Sequence, residues 1–165
     1  MSVNSPNNME LKEVSEIDFE NYYHIRSEKK NLFWLGYKHP PEKENFKKWF
    51  LERIKDSDRK LFLLYQETIC LGSLNIDYYK DHCFIGYSVM EKYEGAGLAS
   101  LIVKQAIELI KNTNSIKSIK AWINENNKDS EKVVMKNGFK KSTIYESRCR
   151  FNLNENYYLY ILPID

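Results

Sequence analysis

Two short stretches of this 165-residue chain carry residue types suited to holding an anionic, amide-bearing ligand. The first reads Ser88-Val-Met-Glu-Lys-Tyr-Glu-Gly-Ala-Gly-Leu-Ala-Ser, an alternating run that gives way to Gly95 and Gly97 and then to a helical pattern. Free N–H groups at a helix start, with the helix dipole behind them, attract anions. Glycines at 95 and 97 lack the β-carbons that would keep a phosphate from the backbone. No Lys-Ser/Thr pair follows, so this is not the nucleoside-triphosphate loop. Ser100 and Leu101 stand where the dinucleotide fingerprint needs its third glycine. The second stretch, Ala121-Trp-Ile-Asn-Glu-Asn-Asn-Lys-Asp-Ser, runs on to Lys136-Asn-Gly-Phe. Asn124 and Asn127 both donate and accept, and Ser130 follows one helical turn later. Alone, each stretch suits equally well an ordinary connection, a glycine-eased strand-to-helix turn and a capped strand-to-helix turn. Their joint occurrence in this order is far more specific.

The elements that must position these residues follow from periodicity. With 42% apolar and 14% aromatic residues, the chain can bury a sizeable core. Its 25 basic and 23 acidic groups leave a net charge of +2, which argues against a dedicated nucleic-acid binder. Met9 to Val14 alternates as a half-buried strand does, and Ser15 offers an N-cap to a helix carrying Ile17, Tyr22 and Ile25. Residues 30 to 41 read as an aromatic loop, and Pro41 opens a helix with Phe46, Trp49, Phe50 and Ile54 at spacings of three and four. Strands are expected at 61–65, 69–78 and 82–90, then a helix through Leu98, Ile102, Ala106 and Ile110. A strand at 116–123, a short helix at 129–137 stopped by Gly138, and strands at 139–151 and 157–164 complete the order. This predicts an α/β (α+β) domain: a mixed, mostly antiparallel sheet of about seven strands flanked by about four helices.

Residues 1–8 are expected to be a flexible leader and residues 9–165 a single domain. That polar start is no signal peptide, and no run approaches the ~18 apolar residues of a membrane span. Cys70, Cys83 and Cys149 are odd in number and lack metal-ligand spacing. They predict neither a zinc site nor a disulfide framework, but free thiols in the reducing cytoplasm. Gly72, inside a strand, predicts a bulge or a close approach.

From about Met9 to Ile164, and most strongly from Ile85 to Phe139, the chain resembles the GNAT superfamily of acetyl-coenzyme A-dependent N-acetyltransferases. The family's pyrophosphate loop reads Gln/Arg-x-x-Gly-x-Gly/Ala, and Glu94-Gly-Ala-Gly-Leu-Ala is similar to it with Gly97 and Ala99 in the fixed positions. Glu94 departs from the pattern and is expected to face solvent. The resemblance implies that Glu94, Gly95, Ala96, Gly97, Leu98, Ala99 and Ser100 hold the coenzyme's phosphates. Ser88, Val89 and Met90 would bond the pantetheine amides along a strand edge, with Val89 or Met90 offering the N–H for the oxyanion. Asn124, Asn127 and Ser130 would line the pantetheine and phosphate arm.

Direct transfer to an amine also needs a base and an acid. Where many relatives carry a strand Glu and a helix Tyr, this chain has Phe84 and Val134. Tyr160 is then the candidate acid, although a tyrosine on a half-buried strand also simply packs. Asp77 is the candidate base through water, although Asp77-Tyr-Tyr-Lys-Asp-His also reads as a solvated hairpin turn. His82 fits a surface turn, and Cys83 has no visible base to make it a nucleophile. Trp34, Tyr37 and His39 occupy the family's acceptor side, beside Phe46 and Trp49, which core packing explains equally well. The implied function is N-acetyltransfer from acetyl-coenzyme A to a primary amine of an amino-sugar nucleotide, a protein N-terminus or a small molecule. A degenerate domain that binds coenzyme A as a sensor or scaffold is the alternative. No metal, nucleic acid or membrane partner is expected, and monomer and homodimer both stay open.

Overall fold

The computed structural model describes residues 8–113 and 115–165; the expected leader lies outside them except for Asn8. Period-two patterning becomes seven strands: β1 (Met9–Glu13), β2 (Arg59–Gln66), β3 (Ile69–Tyr78), β4 (His82–Val89), β5 (Ser118–Asn124), β6 (Lys140–Arg150) and β7 (Leu153–Pro163). They form one sheet in the order β1-β2-β3-β4-β5-β7-β6. Every pairing is antiparallel except that of β4 with β5, which α4 (Leu98–Lys111) connects by a crossover. The other helices are α1 (Phe19–Ser27), α2 (Lys29–Leu35), α3 (Lys43–Arg53) and α5 (Lys128–Lys136).

Strand alternation splits the core in two. On β2, Phe62 and Leu64 point into one cluster with Ile102, Val103, Ala106 and Ile110 of α4. Leu61 and Leu63 point into the other, with Phe19, Tyr22 and Ile25 of α1 and Phe46 and Phe50 of α3. Both faces of the central strands are therefore covered, as their near-continuous apolar runs require.

Three expectations shift. Residues 30–41 are not all loop, because 29–35 form α2, capped by Gly36. Only Leu32 of α2 is buried, so no repeating apolar stripe marked it. The next helix starts at Lys43 rather than Pro41, because the Glu42 carboxylate accepts from the N–H groups of Glu44 and Asn45. The last strand begins at Leu153, after a two-residue turn in which Phe151 and Asn152 both take positive φ. Gly72 meets both halves of its expectation: the β2–β3 register slips beside it, and a β-carbon there would lie 2.7 Å from Ser88 O and Ile102 Cδ1.

Candidate functional site

The site begins with a fork. β4 pairs with β5 only over His82–Phe84 and Ser118–Lys120, after which the strands diverge. The bonds Met90 N–H to Leu71 O and Tyr79 N–H to His82 O fix the β3–β4 alternation. Even-numbered β4 residues bond to β3, so the N–H and C=O groups of Ile85, Tyr87 and Val89 point into the gap. A cleft of about 640 Å³ opens there, lined by Ile85 to Val89 on one strand and Ala121 to Asn124 on the other.

One end of the cleft is backbone. Gly95 and Gly97 both sit at φ +77°, a left-handed conformation that side-chain-bearing residues rarely adopt, and a β-carbon on either would meet nothing within 4 Å. The space they leave open adjoins the start of α4, where the first i−4 bond runs from Leu101 N–H to Gly97 O. The N–H groups of Leu98, Ala99 and Ser100 therefore have no partner within the helix. Glu94 is exposed, as expected, and also borders the cleft. Its carboxylate pairs with Lys30 Nζ at 2.7 Å. The acid beside the glycine loop is thus neutralised by a cation from α2.

The start of α5 forms the adjoining wall. Asn127 Oδ1 accepts from Ser130 N–H at 3.2 Å, and Tyr87 Oη donates to Ser130 O at 3.1 Å, tying β4 to α5. Asn127, Ser130 and Lys132 line the cleft, as does Lys136. Both lysines are exposed and have no ion pair among the described residues. Asn124 is buried at the cleft's edge, and its amide braces the loop: Oδ1 accepts from Asn126 N–H and Nδ2 donates to Glu155.

Glu155 also receives a bidentate pair from Arg150, at 2.5 and 2.9 Å, while Arg150 Nη1 donates to Phe33 O at 2.8 Å. The guanidinium lies over the rings of Phe33, Trp34 and Phe151. This strut joins α2 to the β6–β7 hairpin and to Asn124. It holds the Glu155 carboxyl below the usual range, with the Arg150 hydrogen bonds as the main cause.

The two catalytic candidates fall elsewhere. Tyr160 is 2% exposed and outside the cleft, with Oη donating to Glu131 Oε1 at 2.6 Å. Burial first, and then this bond, push its pKa well up. Tyr160 pairs with Ala121 on the face packed by α4 and α5, so strand parity turns it into the core. Asp77 is held by Arg53 at 2.8 Å and Arg59 at 3.8 Å, also outside the cleft. It is a partner for arginines, not a free base. Met90 is buried and its N–H is spent on Leu71 O, leaving Val89 as the strand-edge donor. Burial pushes the Cys83 thiol up to about 12, so it is no thiolate at neutral pH. Val134 is fully buried in the core.

Of the acceptor candidates, Trp34 lines the cleft, whereas Tyr37 and His39 are exposed beyond it. Ser88 lines it too, with its hydroxyl 2.7 Å from that of Ser73. The structure adds Tyr22, Arg26, Asn75, Trp122 and Tyr157, from α1, β3, β5 and β7. Trp122 lies parallel to Phe84, and Arg148 stacks over Trp122 and Tyr157. Only the alternation Ala121-Trp122-Ile123 hinted at any of these, by setting one large ring on the face opposite the core.

Among the described residues no group of three or more His, Cys, Asp or Glu could hold a metal ion, and no helix is long and apolar enough to cross a membrane. A family model for the acetyltransferase (GNAT) domain matches residues 8–140. No curated protein matches the sequence. Solved structures share the fold at low identity. A Vibrio cholerae spermidine N-acetyltransferase, in complex with CoA and spermine, superposes with TM-score 0.85 at 9% identity, covering 94% of this chain and 95% of that one. A Salmonella typhimurium acetyltransferase that modifies the N-terminal serine of a ribosomal-subunit protein gives 0.83 at 16%, covering 96% of each chain. A putative acetyltransferase from Salmonella typhimurium with acetyl-CoA gives 0.77 at 13%, covering 96% and 95%.

Proposed function

Because the chain belongs to the GNAT acetyltransferase family, we propose that residues 9–165 form one domain that transfers an acetyl group from acetyl-coenzyme A to a primary amine. The observation that carries this reading is the fork. A strand edge with open N–H and C=O groups leads straight to a left-handed glycine pair and an uncapped helix start. The donor set suits the ligand's parts. The N–H groups of Leu98, Ala99 and Ser100 face the pyrophosphate position, with Lys132 and Lys136 as nearby cations. The free edge at Tyr87 and Val89 suits amides that both donate and accept.

Acetyl-coenzyme A supplies an activated thioester. Val89 N–H, not used by β3, stabilises the carbonyl oxygen as it gains charge. Asn127 and the Tyr87–Ser130 bond hold α5 against the fork. Among the described residues no histidine lines the cleft, and its two carboxylates are Glu94, paired to Lys30, and Asp129 in the first turn of α5. Asp129, exposed and without an ion pair among the described residues, and water are then the proton acceptors open to the incoming amine. Ser130 and Tyr157, whose hydroxyls line the cleft without a partner among the described residues, are the candidates for protonating the thiolate.

Calorimetry and thiol release test the reading together. Acetyl-coenzyme A should bind in the micromolar range, and Gly97→Val should weaken it about tenfold or more through the left-handed strain of a branched residue. Absence of binding at millimolar ligand refutes the reading. The pairing of Glu94 to Lys30, and the absence of a histidine from the cleft among the described residues, favour one second reading, a coenzyme A-binding sensor. Tight binding without turnover on any amine would select it.

A further inference from the structure

Resting on that reading, we propose that the acceptor is a primary amine that also carries an anionic group, a carboxylate or a phosphate, and that Arg26 of α1 receives that anion. Arg26 lines the cleft on the wall built by α1 and α2, together with Tyr22, Asn31 and Trp34. It is half-buried, yet makes no hydrogen bond or ion pair with any described residue. The neighbouring cations differ in this respect. Arg53 is taken by Asp77, and Lys30 by Glu94. Of the charged groups acting on Tyr22, Arg53 and Asp77 pair with each other, whereas Arg26 has no such partner among the described residues.

A half-buried guanidinium without a partner forgoes solvation and gains nothing for the fold, and its planar fork matches carboxylate and phosphate oxygens bidentately. Asn75 adds a neutral donor and acceptor nearby. Its amide has no partner among the described residues, and it packs over Gly86, where a β-carbon would come within 2.6 Å of Asn75 Oδ1. The acids of the cleft point to the same conclusion. Glu94 is neutralised and Asp129 belongs to α5, so the α1–α2 wall offers no carboxylate to an extended polycation. A polyamine would bring positive charge against Arg26, whereas an anionic amine completes it.

Steady-state thiol release with matched acceptors tests the assignment: phenylalanine against phenylalaninamide, glucosamine 6-phosphate against glucosamine, and spermidine as the polycation. The anionic member of at least one pair should have the higher kcat/KM, by about tenfold or more. Arg26→Gln should erase that advantage through KM, leaving kcat within about twofold and the KM for acetyl-coenzyme A unchanged. Arg26→Lys should recover part of the KM. Melting curves on both variants show whether they fold, and Arg26→Lys keeps the test open if the glutamine variant does not. Preferred turnover of spermidine or of the uncharged members overturns the proposal, as does equal loss on both members of a pair in Arg26→Gln. If coenzyme A fails to bind by calorimetry, the acetyltransferase reading itself falls. If it binds and the neutral amines react while the anionic ones do not, only the Arg26 assignment falls.

Discussion

The two ends of the cleft are built from different materials. The end proposed for the coenzyme is mostly backbone: the free edge of β4, the glycine loop and the first turn of α4, contiguous in the chain from Ile85 to Ser100. The end proposed for the acceptor is mostly side chains, with Tyr22, Arg26, Trp34, Asn75, Trp122 and Tyr157 brought together from five elements. A backbone site is specified by the conformations of a few consecutive residues. A side-chain site depends on register, strand parity and the packing of distant segments, so it varies with the fold's details while the coenzyme end does not.

The Arg150 strut braces the side-chain end, tying α2 to the β6–β7 hairpin and to Asn124, and removing it should give the largest effect. Arg150→Met leaves the Glu155 carboxylate without its cation and Phe33 O without its donor. We expect a loss of about 3 kcal/mol, a Tm drop of roughly 6–12 °C by calorimetry. Because the strut reaches α2 directly, acceptor KM should rise more than coenzyme affinity falls. An equal effect on both would erase the distinction between the two ends. Gly72→Val acts on the other side of the comparison. Its side chain would enter space held by Ser88 O and Ile102, forcing β4 away from β3 just where the free edge is presented. Overpacking of about 2 kcal/mol is expected in thermal unfolding, with coenzyme affinity reduced more than acceptor KM is raised.

Smaller effects sharpen the boundary. Lys30 belongs to the acceptor wall, yet neutralises Glu94 at the coenzyme loop. Lys30→Ala should weaken coenzyme A binding by about two- to fivefold at low salt, and Glu94→Gln added to it should restore the affinity. No restoration would mean that the pair acts through loop position rather than charge. The smallest effect is on acid stability. Glu131 is held below the ordinary glutamate value, first by the Tyr160 hydrogen bond and then by Lys128. The unfolded chain then takes up the proton more readily, so this contribution is complete above about pH 4.5 and is lost as pH falls below it. Glu131→Gln should flatten the acid limb of Tm against pH while leaving the neutral plateau within about 2 °C. An unchanged acid limb would show that other carboxylates dominate it.

Much of this molecule was readable from its residues. The seven strands in their order along the chain, the crossover helix and the glycine loop follow from local periodicity and from two glycines whose φ of +77° few other residues adopt. α2 escaped because a seven-residue helix with only Leu32 buried carries no stripe. Its support is Arg150, whose partner Phe33 is distant in the chain. The two catalytic candidates lie outside the cleft for a related reason. Tyr160 and Asp77 have suitable chemistry, but one faces the α4–α5 core and the other meets two arginines.

The sequence by itself determined the strands, the turn that opens α4 and the family, because each is written in consecutive residues whose backbone preferences act locally. Tertiary structure alone decided which side chains reach the cleft. Strand parity turned Tyr160 inward, divergence of β4 from β5 opened the space, and the packing of α1 left Arg26 half-buried beside it with no counter-charge. Those outcomes depend on relations between segments far apart in the chain, which no local pattern encodes.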